Sequence, residues 1–126
     1  MDLRDTYFDT EEMGSVIAQD RMEAIQKIVA RWVENLQPTA VLVFGSTARG
    51  TVRPDSDIDV IVLWDDHHEL PNRQRRMKLR DVAGEVPFPM DILTYTTQEW
   101  DKAIADPLSF TANIAKEATI VYGGLH

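Results

Sequence analysis

Gly45-Ser46 is followed, ten residues later, by Asp57-Ile58-Asp59. On an extended strand alternate side chains share a face, so Asp57 and Asp59 point the same way while Ile58, Val60 and Val62 point into a core. Two neighbouring carboxylates repel, and one of them takes up a proton unless a cation lies between them. Hard oxygen donors at this spacing suit Mg²⁺ or Mn²⁺, held by one or two carboxylates together with phosphate oxygens. The Gly-Ser turn complements them. Gly45 permits a sharp bend and close approach of a ligand. Ser46 can cap the short helix that follows, whose free N–H groups attract anions. The chemistry indicated is the binding of a phosphate chain beside a divalent cation.

The flanks of this segment are strands. Ala40-Val41-Leu42-Val43-Phe44 precedes it and Val60-Ile61-Val62-Leu63-Trp64 follows it. Thr51 to Ser56 form a polar loop with a Pro54-Asp55 turn, in which Arg53 is read as solvated and Arg49, just before it, as a candidate phosphate contact. Upstream, Ile25, Ile28, Val29, Trp32, Val33 and Leu36 make one helical stripe within residues 16–36, ended by Gln37-Pro38. Downstream, Pro71 opens a strongly basic helix over 72–84, with Met77, Leu79 and Val82 as a thin apolar side. Its arginines suit an acidic partner face or the steering of a triphosphate. Met90-Asp91-Ile92-Leu93-Thr94-Tyr95 reads as a third strand, and a carboxylate at its start is costly to bury unless paired. Thr96 to Glu99 spell a capping box, and Asp106-Pro107 reads as the start of a further helix whose Leu108, Phe110, Ile114 and Ala118 meet the core or a partner. Thr119 to Tyr122 reads as a short terminal strand. Adjacent His67 and His68 beside acids invite a zinc reading, but their spacing is wrong for it, and an exposed loop is expected.

At 126 residues, 44% of them hydrophobic, the chain is expected to form a single domain over 15–126, behind a loose acidic lead-in over 1–14 that carries Asp2, Asp5, Asp9, Glu11 and Glu12. The net charge of −8 disfavours general binding to nucleic-acid backbones and suits a basic partner or a site that gathers cations. There is no apolar run long enough for a membrane span and no signal-peptide pattern at the N-terminus. Cysteine is absent, which excludes disulfides and thiolate metal sites and fits a cytoplasmic location.

Gly45-Ser46, ten residues, then Asp57-x-Asp59 resembles the signature of the nucleotidyltransferase superfamily of the polymerase-beta type. Together with Ala48-Arg49-Gly50 and Ser56-Asp57-Ile58-Asp59-Val60, it is similar to the minimal nucleotidyltransferases, MntA-like antitoxins paired with HEPN toxins. The resemblance implies an α/β fold, a small mixed β-sheet with helices packed on one face. It implies Mg²⁺ or Mn²⁺ held by Asp57, Asp59 and Asp91, the last in the role of the third acid on a neighbouring strand. It also implies nucleotide contacts from Gly45, Ser46 and Arg49, and transfer of AMP from ATP to a hydroxyl. Relatives that modify antibiotics or tail RNA carry a further acceptor-binding domain. Here the acceptor is expected from outside, as a tyrosine of a HEPN ribonuclease partner. The alternatives are a toxin-masking binder without activity and a transferase acting on a small hydroxylated molecule such as an aminoglycoside.

Overall fold

A computed structural model describes residues 19–49 and 57–124, with the side chains of residues 19, 20, 46 and 49 left out. The acidic lead-in and Arg53 lie outside the described residues. The element order is α1 (Gln19–Leu36), β1 (Ala40–Val43), α2 (Gly45–Arg49), β2 (Ile58–Leu63), α3 (Asn72–Ala83), β3 (Met90–Tyr95), α4 (Thr97–Ala105), α5 (Phe110–Ala115) and β4 (Thr119–Gly123). The strands form one mixed sheet in the order β3-β2-β1-β4. β1 runs antiparallel to β2 and to β4, whereas β2 and β3 run parallel, in register from Ile58 opposite Met90 to Leu63 opposite Tyr95. A parallel pair needs a crossover, and α3 is that crossover.

The alternation of β1 and β2 sorts the core into two layers. On one face Val41, Val43, Ile58, Val60, Val62 and Ile92 meet the α1 stripe of Ile25, Ile28, Val29, Trp32 and Leu36, together with Leu79 and Ala83 of α3. Trp32 is fully buried and donates its indole N–H to the Leu79 carbonyl at 2.8 Å, which ties α1 to α3 without leaving a buried donor unmet. Arg31 reaches the carbonyl of Ala83 further along. The two long helices thus share one face, as expected. The other face carries a smaller cover, in which Ala40, Leu42, Phe44, Ile61 and Leu63 pack against Trp100 of α4 and Ile114 of α5. β2 is accordingly buried on both faces along most of its length.

Local signals explain the boundaries. α1 ends where Gln37 takes φ of 52° and its N–H returns to the Trp32 carbonyl at 3.0 Å, just before Pro38. Thr96 and Glu99 form the expected reciprocal capping box at the start of α4. The expected helix start at Asp106-Pro107 is displaced. The Asp106 carboxylate instead accepts from the Leu108 N–H at 3.0 Å in a turn, and Ser109 caps α5 by accepting from the Ala112 N–H. α3 also differs from expectation. Met77 is 55% exposed, and its place on the inner side is taken by the buried Arg75. Asn72, the first residue of α3, donates to the Thr94 carbonyl of β3 at 2.7 Å. Among the described residues, no helix is long and apolar enough to cross a membrane.

Arg75 is the principal polar joint between the two faces. Its guanidinium forks onto both carboxylate oxygens of Glu99, at 2.9 and 3.1 Å, and its Nε donates to the Leu70 carbonyl. The Arg75 fork holds the Glu99 carboxyl below its ordinary 4.5, against the opposing effect of burial and with help from the Thr96 N–H. A carboxyl depressed in the fold contributes stability above its unfolded pKa and loses it as pH falls through the folded value. Replacing Arg75 by Met is expected to lower unfolding free energy by about 1.5–3 kcal/mol at neutral pH, read from urea midpoints. As pH falls below 4.5 and through the lowered folded value, the gap between wild type and variant should narrow; a gap that stays constant into acid would defeat the assignment.

Candidate functional site

The start of β2 is positioned by the turn that follows β1. The ladder of β1 and β2 continues one step beyond Val43, where the Phe44 N–H donates to the Asp59 carbonyl at 3.1 Å. The Asp59 N–H in turn donates to the Thr47 hydroxyl at 3.1 Å. The backbone of Asp59 is therefore clamped on both sides by residues flanking the Gly45-Ser46 bend. Thr47 is fully buried, and its hydroxyl also donates to the Asp57 carbonyl across a long 3.5 Å. Sequence reasoning passed over Thr47. Its signal is a β-branched hydroxyl on the turn's inner side, where Val would fit sterically but leave the Asp59 N–H without an acceptor.

Gly45 has φ of +60°, and a Cβ added to it would stand 2.8 Å from the Asp59 Oδ2. The carboxylate occupies the space that any other residue's side chain would need. Glycine is thus required here twice, for the left-handed backbone and for the close approach.

Asp91 is brought level with Asp59 by the parallel register of β2 and β3. Neighbours in register share a face, and here it is the face of Ile61 and Leu63, beyond the reach of the α4–α5 cover. Asp59 is half-buried, while Asp57 and Asp91 are exposed. The argument that Asp91 would be costly to bury does not apply to it; the register, not burial, singles it out. Asp57 directly precedes β2, and strand alternation carries it to the same side as Asp59. The side chains of Ser46 and Arg49 lie outside the described residues.

The donor set fits a hard divalent cation in kind: carboxylates from two adjacent strands, one of them lying against a glycine turn. Among the described residues, however, no three acidic or histidine side chains stand close enough to form a finished cage. The same holds for His67 and His68, whose loop is exposed and whose contacts are with Glu69 at 3.5 and 3.9 Å. Asp65, at the end of β2, serves structure: burial raises its carboxyl, but hydrogen bonds from Thr97 and Thr39 outweigh that and bring it below 3.8.

Gly45→Ala is expected to lower unfolding free energy by about 1–3 kcal/mol, because it enforces a strained φ and crowds Asp59. Thr47→Val should cost about 1–3 kcal/mol through the unmet Asp59 N–H. Thr47→Ser, which keeps the hydroxyl, should recover at least half of that loss in the same urea titrations. Equal losses in Val and Ser would show that the methyl group, not the hydrogen bond, matters.

No curated protein matches the chain. Solved structures of similar fold include one described as "Crystal structure of the toxin-antitoxin with AMP-PNP", at 22% identity, a TM-score of 0.51, and coverage of 78% of this chain and 72% of the other. At that identity the likeness is one of fold. The family described as nucleotidyltransferase domain matches residues 25–122, so it spans the Gly45 turn, Asp57, Asp59 and the whole of β3. The chain belongs to the nucleotidyltransferase domain family.

Proposed function

We propose that the chain is an antitoxin-type nucleotidyltransferase that moves AMP from ATP onto a hydroxyl, that of a tyrosine, on a partner ribonuclease toxin of the HEPN class. The observation that carries this reading is Asp59 level with Asp91 on parallel strands, with the Asp59 carboxylate lying against a glycine turn. The family supports a transferase. A fold neighbour described as a toxin–antitoxin with AMP-PNP supports a protein partner and a nucleotide.

Asp57, Asp59 and Asp91 would hold Mg²⁺ or Mn²⁺, which supplies positive charge against the crowded oxygens of a triphosphate. Gly45 lets the phosphate chain approach the backbone closely, and Ser46 and Arg49 serve as its polar contacts. Asp91, exposed on the edge strand, accepts the proton of the incoming hydroxyl. As that oxygen bonds to the α-phosphorus, the bond from phosphorus to the bridging oxygen breaks, and pyrophosphate leaves with the electron pair. Asp59, whose backbone is clamped by Phe44 and Thr47, would be held in a fixed position as one of the cation's ligands.

The face that bears Asp59 and Asp91 is also the face of α4 and α5. The turn between those helices leaves Leu108 92% exposed and Phe110 65% exposed. Exposed apolar side chains on the helices of this face suit an acceptor that is itself a protein surface. The proposed location is the cytoplasm, where ATP and the ribonuclease would meet.

The test is transfer of α-labelled ATP to the purified partner toxin in the presence of Mg²⁺. Label is expected on the partner, and Asp91→Asn is expected to slow its appearance by about 10²–10⁴-fold while the fold is kept. Asp59→Asn should do at least as much. Toxin neutralisation that survives the double change Asp57→Asn, Asp59→Asn would defeat the enzymatic reading in favour of simple masking.

A further inference from the structure

α3 carries charge that its own fold does not use. Five of the chain's thirteen basic residues lie in its twelve residues, against one of the twenty-one acidic ones. Arg75, Leu79 and Ala83 face inward. Arg73, Arg76, Met77 and Arg80 fall at i, i+3, i+4 and i+7, which places them in one outward stripe. All four are exposed. Among the described residues, the side chains of Arg73, Arg76 and Arg80 enter no ion pair and no hydrogen bond.

This pattern works against the helix. Arg76 and Arg80 are like charges at i, i+4, a spacing that destabilises by a few tenths of a kcal/mol. The first turn holds no acid and does hold Arg73, contrary to the helix dipole, and the N-cap Pro71 makes no side-chain cap. The charge is therefore arranged for something outside the chain.

We propose that the stripe Arg73-Arg76-Met77-Arg80 is a docking surface for an acidic protein element, an amphipathic helix whose carboxylates flank an apolar residue. Three observations select this occupant. First, α3 packs its inner side on the sheet face of Val60, Val62 and Ile92, so the stripe points away from the face that bears Asp59 and Asp91. It cannot guide a nucleotide into that site. Second, Met77 sits 55% exposed between the arginines. Methionine and arginine are both enriched in protein interfaces, and a flexible thioether adapts to an apolar partner side chain. Third, the stripe holds no aromatic ring on which a base could stack. Arginine forks match carboxylates in bidentate geometry, and from Arg73 to Arg80 the stripe runs about 10 Å, the length of two helical turns. The surface stands apart from the proposed transfer reaction: it can hold a partner whether or not the carboxylates act, and it leaves them uncovered.

The test uses the full chain and a synthetic helical peptide bearing glutamates at i, i+3 and i+7 around one leucine. Its comparators are the same peptide with glutamine for glutamate and a single-stranded RNA oligonucleotide. Binding is read by fluorescence anisotropy at low and raised salt. The glutamate peptide should bind at least about tenfold more tightly than the glutamine peptide, and raised salt should weaken it. The triple change Arg73→Ala, Arg76→Ala, Arg80→Ala should remove that preference, and Met77→Ala should weaken binding severalfold. Arg73→Glu, Arg76→Glu, Arg80→Glu should bind a lysine version of the peptide instead. Equal binding of the glutamine peptide, RNA binding as tight as the peptide's, or indifference to the arginine changes would each overturn the proposal. So would peptide binding that appears only after Asp2, Asp5, Asp9, Glu11 and Glu12 are neutralised to their amides, since the chain's own acidic segment would then be the occupant.

Discussion

Asp59 and Asp91 meet only because β2 and β3 run parallel and in register. Two like charges side by side on neighbouring strands repel, and the fold accommodates them by keeping Asp91 in water and Asp59 half out of it, where the dielectric is high. Their companions in the ladder are apolar and buried: Ile58 opposite Met90, and Val60 opposite Ile92. Burial of those pairs holds the register, because a slip by one residue would turn Ile92 outward and Asp91 into the core. The hydrophobic layer under α1 and α3 is thus what fixes the geometry of the polar edge above it. The same logic explains why the clamp on Asp59 acts on its backbone. Phe44 and Thr47 grip its N–H and C=O and leave the carboxylate to face the opening beside Gly45.

Much of this was legible in the residues themselves. The α1 stripe, the three strands around the acidic residues and the Thr96 capping box all show the period or spacing that physics requires, and each is present, with β2 at Ile58–Leu63 rather than the expected Val60–Trp64. The alternation of Ile58, Val60 and Val62 correctly gave Asp59 its face. What the sequence hid was cover on the second face. Ile61 and Leu63 are as deeply buried as Val60 and Val62, but a strand apolar on both sides does not reveal which elements lie above it. The start of α5 was hidden by competing caps: Asp106 and Ser109 both qualify by type, and a local turn on Asp106 decided between them. Arg75 was hidden because composition suggests that an arginine among arginines is solvated. Only the position of Glu99, brought near by the fold, shows that it is buried and paired.

The site residues divide in the same way. Gly45, Asp57 and Asp59 follow from local pattern. Asp91 needed knowledge of which strand lies beside β2, and its exposure shows that the cost of burial was the wrong reason for selecting it. Thr47 carries no pattern of its own; its importance appears only through the 3.1 Å contact with a residue twelve positions away.

Asn72 has a consequence for assembly. The Tyr95 carbonyl accepts from Trp64 of the inner neighbour, so the Thr94 carbonyl points to the outer rim of β3, and there the Asn72 amide already occupies it. The opposite rim, β4, is broken in register by a bulge between Val41 and Leu42 of its neighbour. A sheet with one border plugged and the other kinked is a poor template for a fifth strand. Edge-to-edge pairing of crowded copies, the first step toward a fibril, is disfavoured at both rims.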